Sequence, residues 1–250
     1  MKEAFKRISA LTKRNLKEIL RDPISLIFLI GLPLFMLILF YYIFHNLTPQ
    51  FEMRYLAPGI IAFSQSFLTL FVGLLMSLDR SSAFLIRLYV TPAASYEFIF
   101  GYVLAMLPVS FVQSVLFFVT AGIIDPSFFS VNMIPGVFCS LITALLYIGF
   151  GILFGSLCSE KAIGGVASIV ISGQSVLSGM WFPLDGINKN VITVMNVLPF
   201  RPAAQFIQYV VSGSGDVFGD IIKPLLIVLA YTAAIFSAGI AVYSMKMKKQ

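Results

Sequence analysis

A chain of 250 residues that is 59% hydrophobic and only 11% charged cannot hide its apolar surface in a soluble core, because a soluble domain of that size carries roughly twice that charged fraction. A mean hydropathy of +0.95 makes lipid the expected solvent, and one integral membrane domain over residues 1–250 the expected organisation, with no second, soluble catalytic domain. The net charge of +6 is unevenly distributed, so it speaks to membrane orientation and not to nucleic acid.

Residues 1–22 predict an amphipathic helix. At 100° per residue, Phe5, Ile8, Leu16, Ile19 and Leu20 share an arc of about 120°, and Lys6, Arg7, Lys13, Arg14, Lys17 and Arg21 take the opposite side. A basic face backed by an apolar one is the pattern of a helix lying in the membrane interface. The alternative is a cytosolic tail whose cations only set topology. Pro23 breaks the helix and turns the chain into the bilayer. Residues 24–44 carry no charge and would span about 31 Å as a helix, close to a hydrocarbon thickness of about 30 Å. That run is too long for the apolar part of a signal peptide and no small-residue cleavage site follows, so it is expected to remain as the first span.

A polar loop is expected over 45–58. The second span, 59–78, is rich in Phe and Leu. Then comes a charged, turn-prone island at 79–96, DRSSAFLIRLYVTPAASY. The third span, 98–124, carries Pro108 as an expected kink. The fourth is 134–157, Ser159, Glu160 and Lys161 form a polar turn, and the fifth is 163–181. A long connection, 182–220, contains Pro183, Pro199 and Pro202. Within it, 192–209 is apolar enough to sit on or dip into the membrane. The sixth span is 221–245, with Lys223 and Pro224 in its first turn.

Lys and Arg gather in 1–22, in the 79–96 island, at Lys161 and at the basic end. Only Arg54, Lys189, Arg201 and Lys223 lie on the alternate side. This asymmetry predicts that both termini and the island are cytoplasmic.

What is missing also constrains function. There is no GxxxxGK[ST] phosphate loop, so the chain is not expected to hold ATP in that way. No Asp, Glu or Arg lies in the central part of any predicted span, which weighs against an ion-coupled carrier. No buried nucleophile with a base and no aspartate pair is present for hydrolysis within the membrane. Cys139 and Cys158 have no metal or redox spacing and read as small hydrophobes. No catalytic or metal site is expected.

Uncharged polar residues do enter the spans: Gln65 and Thr69 in the second, Gln113 in the third and Gln174 in the fifth. They could line a substrate pathway, or they could be hydrogen-bonded between helices, which is the commoner role in membrane bundles. Gly151 and Gly155 form a GxxxG, and Gly164, Ser168 and Ser172 recur every four residues; both patterns let helices approach closely.

The island has its own logic. Asp79 and Arg80 end a span at the membrane surface. Residues 81–90 could form a short helix that presents Phe84, Leu85 and Leu88 with Arg87 beside them, stopped by Thr91 and Pro92. Such a ridge can enter a groove on a partner; without one it would lie on lipid.

Taken in order, these features resemble the ABC-2 type permeases, the membrane subunits of ATP-binding cassette exporters. The resemblance rests on the basic amphipathic helix with Arg21-Asp22-Pro23, on Tyr55-Leu56-Ala57-Pro58-Gly59, on Asp79-Arg80 followed by Leu88 and Thr91-Pro92, and on Ser178-Gly179, Phe182-Pro183 and Leu198-Pro199. Asp79 stands where the family usually has Glu, and Ser82-Ala83 where Gly-Thr is common. The resemblance implies an all-α polytopic fold of six spans with an N-terminal interfacial helix and short re-entrant helices in the last extracellular connection. It also implies a homo- or heterodimer of permeases, working with two cytoplasmic ATPase subunits that bind ATP and Mg. The island would be the coupling helix, with Asp79, Arg80, Phe84, Arg87, Leu88, Thr91 and Pro92 meeting the ATPase. The expected function is export of an amphipathic drug, peptide antibiotic or lipid-like molecule across a bacterial plasma membrane. A polysaccharide or glycolipid exporter is the nearest alternative. An ATPase-independent carrier and a non-transporting anchor are the alternatives from other classes.

Overall fold

The structure of the chain, a computed structural model, describes residues 2–81, 95–184 and 186–247. Every regular element among them is helical. α1 spans Lys2–Leu20, with Glu3 in its first turn and Lys17 in its last, the order of charge that a helix dipole favours. Its end at Leu20 falls two residues short of the expected 22. Asp22 caps the next helix, accepting from the N–H of Ile24 at 3.1 Å and of Ser25 at 3.2 Å. Pro23 takes the first helical position, where a missing N–H leaves no bond unmade.

Among the described residues, five helices are long and apolar enough to cross a membrane. They are α2 (Pro23–Phe44), α3 (Met53–Ser81), α4 (Ser95–Ile124), α5 (Met133–Leu157) and a last one at Val217–Met245. A sixth was expected at 163–181. The structure places α6 there, Glu160–Leu177, 18 residues long, and it is not one of the five. Glu160 and Lys161 occupy its first turn, and Gly164, Gly165, Ser168, Ser172 and Gln174 dilute its apolar character. In the 182–220 connection lie two shorter helices, α7 (Lys189–Val197) and α8 (Phe200–Ser212). α8 stops at Gly213, whose φ of +63° is a left-handed cap that suits glycine. A π-helical turn, Val217–Ile222, leads into α9, Lys223–Met247.

The second membrane helix starts earlier than the sequence predicts. Residues 53–58 were expected in a loop, yet α3 begins at Met53 and carries Pro58 inside it. Proline there forgoes one backbone bond, to the Arg54 carbonyl, and the helix runs on.

α3 is the centre of the bundle. It is buried along almost its whole length from Met53 to Asp79, with α5 along one side and α6, α8, α4 and α2 around it. α2 is the opposite case. Leu29 and Leu37 face inward, and Ile24, Ile27, Phe28, Phe35, Tyr42 and Ile43 are exposed apolar side chains, an outer surface suited to lipid. α2 also contains a π-helical stretch, Ile27–Gly31. The Leu29 carbonyl within it accepts a bond from Gln113 Nε2 on α4 at 2.7 Å, so a neighbouring helix satisfies backbone that the irregular turn frees.

α1 lies across α4. Leu11 closes on Gly101 so tightly that a Cβ there would stand 2.8 Å from the Leu11 Cβ. Asn15 and Ile19 are buried, whereas Phe5 and Leu20 stay exposed. The packed face is therefore rotated from the apolar arc predicted by the sequence: only part of that arc enters the bundle, and polar residues come in beside it.

Candidate functional site

The side chains brought inward with α1 are Arg7 and Arg14. Seven residues apart, they share one helix face. Arg14 forms a two-pronged bond with Asp79 in the last turn of α3: Nη1 donates to Oδ2 at 2.6 Å, and Nη2 donates to Oδ1. Tyr102 of α4 donates its hydroxyl to the same Oδ2 at 2.6 Å. Arg14 Nη2 is also 2.9 Å from Glu18 Oε2, one turn along α1. Arg7 repeats the fork on Glu97 in the first turn of α4, with Nε to Oε2 at 2.6 Å and Nη2 to Oε1 at 2.9 Å. Asp79 and Glu97 are each only 2% exposed.

Paired N–H donors meeting paired oxygens fix orientation as well as energy. A buried carboxylate also needs its cation, because an unpaired charge is expensive to bury. Burial pulls the basicity of Arg14 down and its bond to Asp79 more than restores it; Arg7 is raised by its bond to Glu97. Both guanidiniums hold their protons across the physiological range.

Arg80 works on a third helix. Its two terminal nitrogens donate to the carbonyls of Ser156 and Cys158, capping the end of α5 with a cation where the helix dipole is negative.

The described residues on either side of 82–94 are thus both tied into the bundle. Asp79 holds one root and Glu97 the other, each to α1, and Arg80 ties the first root to α5. Of the island residues expected to meet a partner, the structure places Asp79 and Arg80; Phe84, Arg87, Leu88, Thr91 and Pro92 lie outside the described residues. The sequence reading missed Arg7, Arg14, Glu97 and Tyr102. It placed both arginines on the basic side of α1 and named no partner for them; the structure pairs them with Glu97 and Asp79. A usable signal was present: two arginines seven apart, and two carboxylates flanking the island.

The intramembrane polar residues form seams between helices. Gln65 Nε2 donates to the Ser140 carbonyl at 2.8 Å and to Ser110 Oγ at 3.3 Å, and its Oε1 accepts from Thr143. Thr69 donates to the Tyr147 carbonyl at 3.1 Å, and Ser140 to Ser114 Oγ at 2.7 Å. Gln174 on α6 accepts from the Tyr147 hydroxyl. Gln65, Thr69, Gln113 and Gln174 are all fully buried. Each binds one helix to another: Gln65 joins α3 to α4 and α5, Thr69 joins α3 to α5, Gln113 joins α4 to α2, and Gln174 joins α6 to α5. Replacing Gln65 with leucine should therefore lower stability by about 1–2 kcal/mol, seen as an earlier melt in detergent. An unchanged melt would mean that these bonds hold nothing together.

Among the described residues no group of three or more His, Cys, Asp or Glu is placed to hold a metal ion. A model of one protein family, described as ABC-2 type transporter, matches residues 6–211, which takes in most of α1 and nearly all of α8. No curated protein matches the chain.

Proposed function

The chain belongs to the ABC-2 type transporter family, as a multi-pass membrane permease, and on that premise we propose that it exports an amphipathic molecule by converting the push of separate cytoplasmic ATPase subunits. The observation that carries this reading is the pair of arginine forks at the roots of 82–94. A force applied to that segment has a stiff route into the bundle. It passes through Asp79 into α3 and through Glu97 into α4, with α1 as the brace behind both and Arg80 passing it on to α5.

In this reading 82–94 is the coupling segment, and Phe84, Arg87, Leu88, Thr91 and Pro92 meet an ATPase that carries ATP and Mg. Asp79 and Arg80 anchor the segment. The Lys and Arg distribution supports a cytoplasmic position for that end and for both termini. α1 lies in the interface with Phe5 and Leu20 toward lipid. α6 serves as the sixth span, and α7 and α8 as the short re-entrant helices on the far side. Gln65, Thr69, Gln113 and Gln174 reach the cargo only once their helices part, which is what a push on α3 would do.

α6 also presents a face for a second permease. Gly164, Gly165, Ser168 and Ser172 are exposed, and nothing lies within 4 Å of a Cβ built on either glycine. Small residues on a membrane helix favour close approach of another helix, and a protein neighbour there would explain why this helix is not among the five that are long and apolar enough to cross a membrane.

The test is reconstitution. Cargo should leave the loaded compartment only with the chain, the ATPase and ATP together. Leu88→Asp or Arg87→Asp should remove most of the co-purifying ATPase. Transport by the purified chain alone would overturn the reading.

A further inference from the structure

The face of the bundle opposite α1 carries a cavity of about 430 Å³ that coupling does not use. α8 forms its long wall. Ala203, Phe206, Ile207 and Val211 bury one side of that helix in the bundle. The other side turns Arg201, Gln205, Gln208 and Tyr209 to the cavity, at the i, i+4, i+7, i+8 spacing of a single helix face. Thr48 and Gln50 line it from the turn before α3, and Met180 and Pro183 add apolar wall.

Two observations point to a ligand. Arg201 donates to Asn196 Oδ1 at 2.6 Å, and among the described residues no carboxylate stands within ion-pair distance of it. Thr48 Oγ1 and Gln50 Oε1 are buried and have no hydrogen-bond partner among the described residues. A half-buried guanidinium with donors remaining attracts an anion, and its flat fork fits a phosphate or carboxylate. The acceptor at Gln50 and the hydroxyl at Thr48 call for hydroxyl groups next to that anion. The apolar wall suits the start of a hydrocarbon chain.

We propose that this cavity binds a phosphate ester carrying hydroxyls, with Arg201 on the phosphate and Thr48 and Gln50 on the hydroxyls. The same groups would hold a glycerophospholipid headgroup of the adjoining leaflet or a soluble phosphate ester. The assignment goes beyond the transport reading and does not depend on it.

Trp181 gives a direct readout. It is the single tryptophan of the chain and adjoins the cavity residue Met180. Its indole N–H donates to Ser175 Oγ at 3.0 Å, and its ring lies 4.8 Å from that of Phe40. The experiment titrates the full-length chain, in a nonionic detergent, with dihexanoyl phosphatidylglycerol, glycerol phosphate, inorganic phosphate and uncharged dihexanoyl glycerol, following Trp181 emission. Phosphatidylglycerol should act saturably, at concentrations about tenfold below the uncharged lipid. Arg201→Gln should erase that difference, Arg201→Lys should keep most of it, and Lys223→Gln, whose cation is outside the cavity, should leave it intact. Glycerol phosphate matching phosphatidylglycerol supports the site with a soluble ester as its ligand; phosphatidylglycerol acting alone supports it with a lipid. An equal response to inorganic phosphate or to the uncharged lipid overturns the proposal, as does full binding by an Arg201→Gln chain that melts like the parent. The titration uses neither ATPase nor ATP, so its failure leaves the transport reading standing.

Discussion

Replacing Arg14 with glutamine is expected to cost about 3 kcal/mol of stability and, on the proposed function, to stop ATP-driven export. Asp79 is almost completely buried and sits in the last turn of α3, where the helix dipole is itself negative and opposes a carboxylate. Arg14 is a cation that bonds it there through both oxygens. Removing one member of a buried pair leaves the other charged and desolvated, typically at 3–5 kcal/mol. The lower end applies because about a third of the Arg14 side chain is exposed. The double variant Arg14→Gln, Asp79→Asn separates the two effects. With the charge gone from both sides the melt should recover most of the loss, because replacing both partners removes the uncompensated ion. Export should not recover, because the fork linking α3 to α1 is still missing. Arg14→Lys should fall between, keeping the charge but not the two-pronged geometry. A double variant that regains both stability and export would show that the pair holds the fold and transmits nothing.

Why the sequence reading passed over this pair is physical. Residues separated by 65 and 90 positions meet in the two forks, and helical periodicity reports only neighbours within one element. The basic side of α1 is well defined as a pattern, but the pattern does not say which cations face water. The packed face is settled instead by Leu11 against Gly101, a contact between two helices. Uniform apolar runs were legible for the opposite reason. α2, α4, α5 and the last helix follow from composition and length, because lipid imposes those directly. The boundaries that slipped were those where a local signal met a tertiary one. Pro58 reads as loop in the sequence, but α3 is surrounded by other helices and continues through it. α6 ends at Leu177 and not at Trp181, whose indole instead bonds back to Ser175. The buried glutamines were visible as candidates, and a sequence cannot separate a pathway from a seam.

Gly155→Val is expected to be the most damaging single change in the membrane-embedded part, costing more than about 3 kcal/mol and stopping accumulation of folded protein. A Cβ at position 155 would stand 2.9 Å from the Gly73 carbonyl oxygen and 2.9 Å from the Met76 Cβ, and one at 151 only 2.6 Å from the Val72 Cβ. These neighbours are backbone and β-carbon atoms of α3, which cannot swing aside as the tip of a long side chain can. The two helices must therefore separate, and separation would strain the bonds from Gln65 to Ser140 and from Thr69 to Tyr147 that lie along the same line of contact. Overpacking of this kind usually costs 1–3 kcal/mol where side chains can yield, and more where they cannot. Gly164→Val provides the contrast. The substitution is identical and the site is also on a helix of the bundle, but nothing lies within 4 Å of its new Cβ, so the melt of the isolated chain should move by less than about 0.5 kcal/mol. If α6 is the face that meets a second permease, Gly164→Val should weaken that association, measured by size in detergent, while leaving the single chain intact. The pair of variants therefore distinguishes glycines that close the chain on itself from glycines that await another copy. A Gly155→Val protein that melts normally would refute the tight crossing of α3 and α5 on which the bundle is built.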